Sequence, residues 1–275
     1  MADSAPQPRY GTIDTAYAAQ LAATAPDDDG PVWMVNLMRY RERAEYADGR
    51  ASTISGIEAD DLYTPLESLA AVGAEPVFFA TVESQLLGDS PKWDRVGVVK
   101  YPSRRAFIEM QRRDDFRQQH EHKDAGMAET IVIGSIPMVS PPLPADAPEW
   151  DAVPHPPTED DPAVVVLHVL KYKEGERRLE MASYTNHAAK IAVPHGVRIA
   201  GWFEAEGTIV GDGRSWDQVR FNAFPSKKAF MAVVFDPQRL EAQRDHREVA
   251  IADTYTMILR PVFDRLTESM AAAAP

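Results

Sequence analysis

Cysteine is absent from the 275-residue chain. Its absence excludes disulfide bonds, thiolate metal sites, cysteine nucleophiles and iron–sulfur clusters, and it is compatible with a reducing cytosol. No apolar run approaches the ~18 residues of a membrane span. Residues 1–25 also lack the basic start and apolar core of a signal peptide. We therefore expect a cytoplasmic protein that makes no contact with a membrane.

Positive charge is scarce, because 29 Lys and Arg residues face 42 Asp and Glu residues and leave a net charge of −13. A chain of this charge repels a phosphate backbone, and no basic run offsets it, so no nucleic-acid partner is expected. The sequence also lacks a Gly-x-Ser-x-Gly nucleophile elbow and a His-Glu-x-x-His zinc motif. These absences leave the common hydrolase and zinc protease classes without support.

The chain does contain an internal repeat, and a repeat predicts the fold more strongly than any single helix or strand does. Three segments of the first half align without gaps on three segments of the second: Val32–Glu42 on Val164–Glu174, Trp93–Phe107 on Trp216–Phe230, and His122–Thr130 on His246–Thr254. The first copy is longer between its first two segments, which predicts an inserted loop over residues 46–57. Ungapped matches of this length indicate two diverged copies of one unit.

The repeat predicts how the chain divides into domains. Residues 137–161 are rich in proline, which disfavours helix and sheet and suits an extended linker. The predicted segments are an N-terminal extension (1–30), the first copy (31–136), the linker (137–161), the second copy (162–261) and a C-terminal tail (262–275).

Each copy shows the order β-α-β-β-α-β. An apolar, β-branched run predicts the first strand, over 32–38 or 164–170. A helix follows, over 62–72 or 179–193, then a hairpin closed by Gly-Asp, then a serine-capped helix over 104–112 or 227–235 and a last strand. This is the ferredoxin-like α+β order, with the helices on one face of an antiparallel sheet. Two such sheets packed face to face would close a barrel around an interior cavity, making the chain a pseudo-dimeric monomer or a homodimer.

The first copy resembles a known family in four segments: Met34–Tyr40, Trp93–Val96, Tyr101–Phe107 and His120–Met127. The chain is similar there to the dimeric α/β-barrel superfamily, and specifically to its branch called domain of unknown function 1330. That superfamily includes cofactor-free monooxygenases, polyketide cyclases, lactone isomerases and heme enzymes, so the fold fixes no reaction. The resemblance implies a small apolar ligand held between sheet and helices.

Polar residues interrupt both predicted first strands. Asn36 and His168 align with each other, and each lies within an apolar run where an unpaired polar group costs about 1–3 kcal/mol. Tyr40 and Tyr172 follow at i+4, on the same strand face. These four residues are candidates for catalysis, with the alternative that they are satisfied core residues. The difference between Asn36 and His168 predicts that the two copies are not equivalent in function.

Histidines His122 and His246 align at the end of a polar helical segment and are suited to proton transfer near neutral pH. Their repetition equally favours a structural role. Asp94 and Asp217 suit backbone capping, since each begins a strand after a turn. The residues predicted to contact a ligand are Trp33, Trp202, Phe79, Arg39 and Glu206.

The favoured hypothesis is a cofactor-independent isomerase, lyase, cyclase or oxygenase that acts on a small hydrophobic metabolite, with histidine and tyrosine as acid–base groups. A non-catalytic small-molecule binder is the alternative. No metal site is predicted, because His120 and His122 lack a third ligand at a suitable spacing. Heme is a further alternative, with four candidate axial ligands: His168, His187, His195 and His246.

Overall fold

A computed structural model describes residues 8–63, 65–175 and 177–271 of the chain. The strands are β1 (Thr12–Ile13), β2 (Val32–Tyr40), β3 (Glu75–Leu87), β4 (Arg95–Tyr101), β5 (Met127–Pro137), β6 (Val164–Tyr172), β7 (Arg198–Gly211), β8 (Gln218–Phe224) and β9 (Ile251–Asp264). The helices are α1 (Thr15–Ala23), α2 (Gly56–Leu62), α3 (Leu66–Ala71), α4 (Arg104–Arg112), α5 (Asp114–Gly126), α6 (Arg177–Ala192), α7 (Lys227–Val234), α8 (Pro237–Ala242), α9 (Glu248–Ala250) and α10 (Leu266–Ala271), with a 3₁₀ turn at Val193–His195 and a π turn at Gln243–Arg247.

Eight antiparallel strands close into a barrel. The strand order is β7-β5-β2-β4-β3-β9-β6-β8, and β8 pairs again with β7. The first half of the chain supplies the neighbours β5-β2-β4-β3, and the second half supplies β9-β6-β8-β7. Two seams, β3 with β9 and β5 with β7, join the halves. The α+β class and the closed barrel predicted from the sequence are confirmed.

The barrel interior is filled with side chains. In β2 the alternate residues Trp33, Val35 and Leu37 point inward and are at most 1% exposed, and they meet buried residues from all eight strands. Leu266 at the start of α10 belongs to the same core. The prediction of a cavity inside the barrel was wrong, because large aromatic and branched side chains from both sheets fill that space.

Serine caps begin the main helix of each half. Ser103 Oγ accepts the Ala106 N–H at 3.0 Å at the start of α4, and Ser226 Oγ accepts the Ala229 N–H at 3.0 Å at the start of α7. Both helices therefore begin where the Pro-Ser pairs of the sequence predict. The outer faces of the sheets carry these helices, which leaves the space between sheet and helix as the place for a ligand.

Several predicted boundaries differ from the structure. The helix predicted over 62–72 is two helices, α2 and α3, and its expected apolar residues Leu62 and Leu66 are 53% and 59% exposed. The segment predicted as a C-terminal tail instead extends β9 and forms α10, whose Ser269 Oγ accepts the indole N–H of Trp33 at 2.9 Å. In the N-terminal extension, α1 packs Tyr17 and Leu21 into a buried cluster.

Reciprocal ion pairs hold the halves together. Glu206 of β7 accepts from Arg104 Nη2 at 2.6 Å at the start of α4, and its aligned counterpart Glu83 of β3 pairs with Lys227 at the start of α7. Each half therefore offers the same carboxylate to the same helix of the other half, as in an isologous interface between two subunits. Within the described ranges, no helix is long and apolar enough to cross a membrane.

Candidate functional site

Among the described residues, two mostly apolar cavities lie between sheet and helices, one in each half, and a third, more open one is lined by Tyr172 and Asp217. The first cavity, of about 400 Å³, lies between the outer face of β2–β4 and the helices α2–α5. The second cavity, of about 830 Å³, lies between β6–β8 and the helices α6–α8, with part of the linker at its rim. Both sizes fall in the range of small-molecule sites. The strand residues Asn36 and His168 line the first and second cavities respectively.

A histidine–tyrosine pair lines the first cavity. The Tyr10 hydroxyl hydrogen-bonds His120 Nε2 at 2.7 Å, while His120 Nδ1 is buried without a partner in the part of the chain that the structure describes. Burial, together with the Lys123 cation, lowers the pKa of His120 to about 4. The ring is therefore a neutral imidazole at physiological pH.

Two charged groups of opposite sign complete the first cavity. The Lys123 amine lies 5.5 Å from the centre of the Tyr63 ring and 5.9 Å from that of Tyr10, and burial lowers its pKa. Burial raises the pKa of the Asp60 carboxyl. This carboxyl accepts a hydrogen bond of 2.6 Å from the Tyr40 hydroxyl. Three ionisable groups with displaced pKa values thus converge on one apolar space, which is typical of sites that transfer protons.

The second cavity holds a histidine among arginines. His168 Nδ1 lies 3.1 Å from Thr256 Oγ1. Burial lowers the pKa of His168 well below its ordinary value, and the positive charges of Arg247, Arg220 and Arg239 lower it further. An anion would be stabilised beside these arginines, whereas a further cation would be repelled.

The aromatic ligand candidates divide between the cavities. Phe79 lines the first and Trp202 lines the second, where the Arg220 guanidinium lies 4.4 Å from the Trp202 ring centre. Tyr40 and Tyr172 line neither, but each hydrogen-bonds a cavity neighbour. Tyr40 donates to Asp60, which lines the first cavity. Tyr172 donates at 2.6 Å to Gln218 Oε1, and the same oxygen accepts from Arg220, which lines the second cavity.

Five other predicted site residues lie outside both cavities. His122 Nδ1 hydrogen-bonds Tyr46 at 2.9 Å, and His246 Nδ1 lies 2.9 Å from Glu180. Arg39 pairs with Glu129 at the surface, Glu206 joins the two halves, and Trp33 lies inside the barrel. A structural role accounts for these five contacts without a ligand.

The predicted site residues do not include most of the polar and charged groups that line the cavities: Tyr10, Asp60 and Lys123 in the first, and Arg220, Arg239 and Arg247 in the second. The sequence brought out His120 of the first cavity only as a rejected metal ligand. One signal was available. Lys123 aligns with Arg247 in the third repeated segment, so a cation recurs one residue after the aligned histidines. Tyr10 carried no such signal, since it lies before the first repeated segment.

The heme candidates are also separated by the structure. Of the four histidines named as axial candidates, His168 lines the second cavity, whereas His187, His195 and His246 line neither of the two cavities. Across the described ranges, no three His, Asp or Glu side chains are grouped as a metal-ion site.

One comparison with a solved structure, an anthrone oxidase-like protein, supports the fold. No family model and no curated protein matches the chain. Among solved structures, the chain is similar to a protein of unknown function from Rhodopseudomonas palustris, with 29% identity over 48% of this chain and 98% of that chain and a TM-score of 0.41. An anthrone oxidase-like protein matches with 13% identity over 86% of this chain and 92% of that one, at a TM-score of 0.52. A mutant chlorite dismutase from Candidatus Nitrospira defluvii matches with 13% identity over 92% and 98%, at a TM-score of 0.46.

Proposed function

We propose that the chain is a cofactor-independent small-molecule enzyme that performs acid–base chemistry in the first cavity. The observation that carries this proposal is the convergence of His120, Lys123 and Asp60, each with a displaced pKa, on one apolar cavity. Groups whose pKa values are moved by burial and by each other are typical of sites that transfer protons. The second cavity offers guanidinium groups, which keep their protons and do not act as acids or bases.

The substrate we propose is a small, apolar, uncharged compound with a carbonyl group beside an acidic C–H bond. Most of the wall is apolar, including Met34, Phe79 and Met110. The volume of about 400 Å³ suits one or two fused rings. Asn36 donates from Nδ2 to the Met34 carbonyl at 2.9 Å, which fixes its amide in the cavity floor.

The proposed reaction is a keto–enol proton transfer. The substrate C–H proton passes to the Tyr10 oxygen while the Tyr10 proton passes to His120 Nε2 along the 2.7 Å hydrogen bond. Lys123 donates a proton to the substrate oxygen, so the enol forms without a free enolate. His120 gains a positive charge as Lys123 loses one, and the cavity never holds two cations. Return of the proton to another carbon completes an isomerisation.

We further propose that the two halves are copies of one ferredoxin-like unit, so that one chain contains a whole barrel. Two aligned hydrogen-bond sets support this. Asp94 Oδ2 accepts the Tyr40 N–H at 2.8 Å, and Asp217 Oδ2 accepts the Tyr172 N–H at 2.7 Å. The N–H of Asp94 also donates to the Met38 carbonyl at 2.9 Å. In the second half, the N–H of Asp217 donates at 2.8 Å to the carbonyl of Leu170, the residue that aligns with Met38.

The test uses 2-tetralone, an apolar ketone, and measures exchange of its acidic C–H hydrogens for deuterium by NMR. We expect the protein to accelerate exchange and His120→Gln to slow it by about 10²-fold or more, since the relay through Tyr10 is lost. The matched control is His122→Gln, on the same helix but bonded to Tyr46 outside the cavity. This control should exchange within about twofold of the parent.

Three outcomes would overturn the proposal. Equal rates for the parent protein and His120→Gln, with the fold intact by circular dichroism, would remove the relay. Binding of 2-tetralone without any exchange above buffer would favour a non-catalytic binder. A Soret band in the purified protein would contradict cofactor independence and favour heme at His168, the axial candidate that lines a cavity.

A further inference from the structure

Arginines dominate the charge of the second cavity, which is lined by Arg198, Arg220, Arg239 and Arg247 and by one carboxylate, Asp264. Three of these arginines, Arg220, Arg239 and Arg247, lie together near His168, whose pKa is lowered by burial and further by their charges. Within the described ranges, none of the three has an Asp or Glu oxygen within 4.0 Å, although most other arginines of this acidic chain are paired. Arg247 is 5% exposed, and burial lowers its pKa and that of Arg220.

Neutral groups hold these arginines in place. Arg220 donates to Gln218 Oε1 from Nε at 3.0 Å and from Nη2 at 2.6 Å, and its Nη1 donates to Thr185 Oγ1 at 3.0 Å. Arg239 Nε donates to the Tyr184 hydroxyl at 3.1 Å. Arg247 Nη2 makes a long bond of 3.3 Å to Thr254 Oγ1. A guanidinium carries five N–H donors, so Arg239 and Arg247 have donors left over for a ligand.

The mutual repulsion of these arginines gives the cavity a strong preference for an anion. The positive charges of Arg239 and Arg220 lower the pKa of Arg247, opposed by the Glu248 carboxylate, and all three arginines lower that of His168. A bound anion would cancel this repulsion and accept charge-assisted hydrogen bonds, and a carboxylate matches the guanidinium fork with two oxygens. A neutral or cationic ligand would leave the buried charges unmatched.

The rest of the cavity is apolar and roomy. Its walls include Met181, Phe224, Phe230 and Val233, and its volume is about 830 Å³, roughly twice that of the first cavity. A simple inorganic anion would leave most of this wall facing empty space. The shape instead matches a molecule with an acidic end and an apolar, ring-sized body.

We propose that the second cavity binds an organic carboxylic acid, with its carboxylate among Arg220, Arg239 and Arg247 and its apolar body against the helices α6 and α7. The site is separate from the proton-transfer site of the first cavity. The aligned positions there hold Gly97 in place of Arg220 and Lys123 in place of Arg247, so the carboxylate site belongs to the second half alone.

The first test compares two probes of nearly equal shape on the unaltered protein by titration calorimetry. 2-Naphthoate carries the carboxylate, and 2-naphthamide replaces it with a neutral amide. We expect naphthoate to bind at least about tenfold more tightly, since one charge-assisted hydrogen bond contributes about that factor. Equal affinities, or no binding of naphthoate at millimolar concentration, would overturn the proposal.

The second test locates the site with charge-removing variants. Arg220→Gln and Arg247→Gln should each weaken naphthoate binding by about 10- to 100-fold and leave naphthamide unchanged. Arg117→Gln removes the same charge from a side chain that is 59% exposed on α5, and should change neither affinity. Lys123→Met should also leave naphthoate affinity unchanged. A loss of naphthoate binding in Lys123→Met would place the probe in the first cavity and contradict the assignment.

Discussion

The first and second cavities occupy aligned places on the two halves, yet their polar groups differ in kind. The first holds an amine, an imidazole and a carboxylate whose pKa values burial has moved. The second holds guanidinium groups and a histidine whose pKa is lowered by burial and further by their charges. Amines and imidazoles exchange protons near neutral pH, whereas guanidinium groups bind anions and keep their charge. The comparison teaches that one scaffold can present two different sets of ionisable groups, one suited to proton transfer and one suited to an anion.

The bonds that position the strands and begin the main helices are alike in the two halves. The backbone bonds of Asp94 and Asp217 and the caps of Ser103 and Ser226 are nearly identical in length in the two halves. The strand pairing is alike in the two halves although the cavity residues differ, and the filled barrel interior lies on the opposite face of the sheets from both cavities. The outer faces of the two halves can therefore differ while the interior of the barrel stays packed.

The largest expected effect comes from making the first cavity resemble the second. Lys123→Arg keeps the positive charge but removes a proton that can be donated, since a guanidinium does not deprotonate in proteins. We expect the 2-tetralone exchange rate to fall by about 10²-fold or more. Initial rates by NMR, at matched protein concentration, measure the change.

The matched control is the reverse change at the aligned position. Arg247→Lys keeps a cation in the second cavity and should leave the exchange rate within about twofold of the parent. A Lys123→Arg protein with parental exchange would show that the amine of the first cavity donates no proton. A loss of exchange in Arg247→Lys would show that the two cavities do not act separately.

A smaller effect is expected on stability in acid. Burial lowers the pKa of His120 from 6.5 to about 4, and that of His168 in the same direction. Between these values the unfolded chain binds protons that the folded chain does not, so folding stability is greatest above about pH 6.5 and falls as the pH drops. His120 contributes a loss of up to about 1.4 kcal/mol per pH unit in that range, and His168 adds a loss of the same sign.

His168→Asn tests this dependence, because asparagine occupies the aligned position in the first half. Urea denaturation at about pH 7 and about pH 5 should show a smaller acid loss for this variant than for the parent. His122→Gln serves as the reference for a half-buried histidine outside the cavities. An unchanged acid loss in His168→Asn would mean that His168 is protonated in the folded protein.

The sequence predicted the fold well because the signals were local and occurred twice. The apolar runs that became β2 and β6, and the serines that cap α4 and α7, depend on neighbouring residues only. Each of these local patterns occurs at two aligned positions in the sequence, so one occurrence supports the interpretation of the other. Dependence on local signals also explains the error at Leu62 and Leu66. Their apolar spacing predicted one helix, whereas the chain forms two.

The candidate sites were harder to predict because distant parts of the chain form them. Asn36 and His168 stood out, since a polar residue in an apolar strand is visible in the sequence. Tyr10 meets His120 across 110 residues, and Tyr40 meets Asp60 only because α2 folds over β2. No periodicity encodes such contacts. Arg220 was missed for a simpler reason: its aligned partner is Gly97, so the repeat suggested no role.

The smallest effect tests what the halves still share. Asp94→Asn and Asp217→Asn each weaken one carboxylate bond to a strand N–H, of 2.8 and 2.7 Å. We expect each change to lower the free energy of unfolding by about 1 kcal/mol, and by similar amounts, because the bonds are equivalent. Asp146→Asn, in an exposed stretch of the linker, should change it little. If only one of the two variants, Asp94→Asn or Asp217→Asn, were destabilising, the aligned carboxylates would not share a structural role. The two halves would then be equivalent in their backbone but not in these side chains.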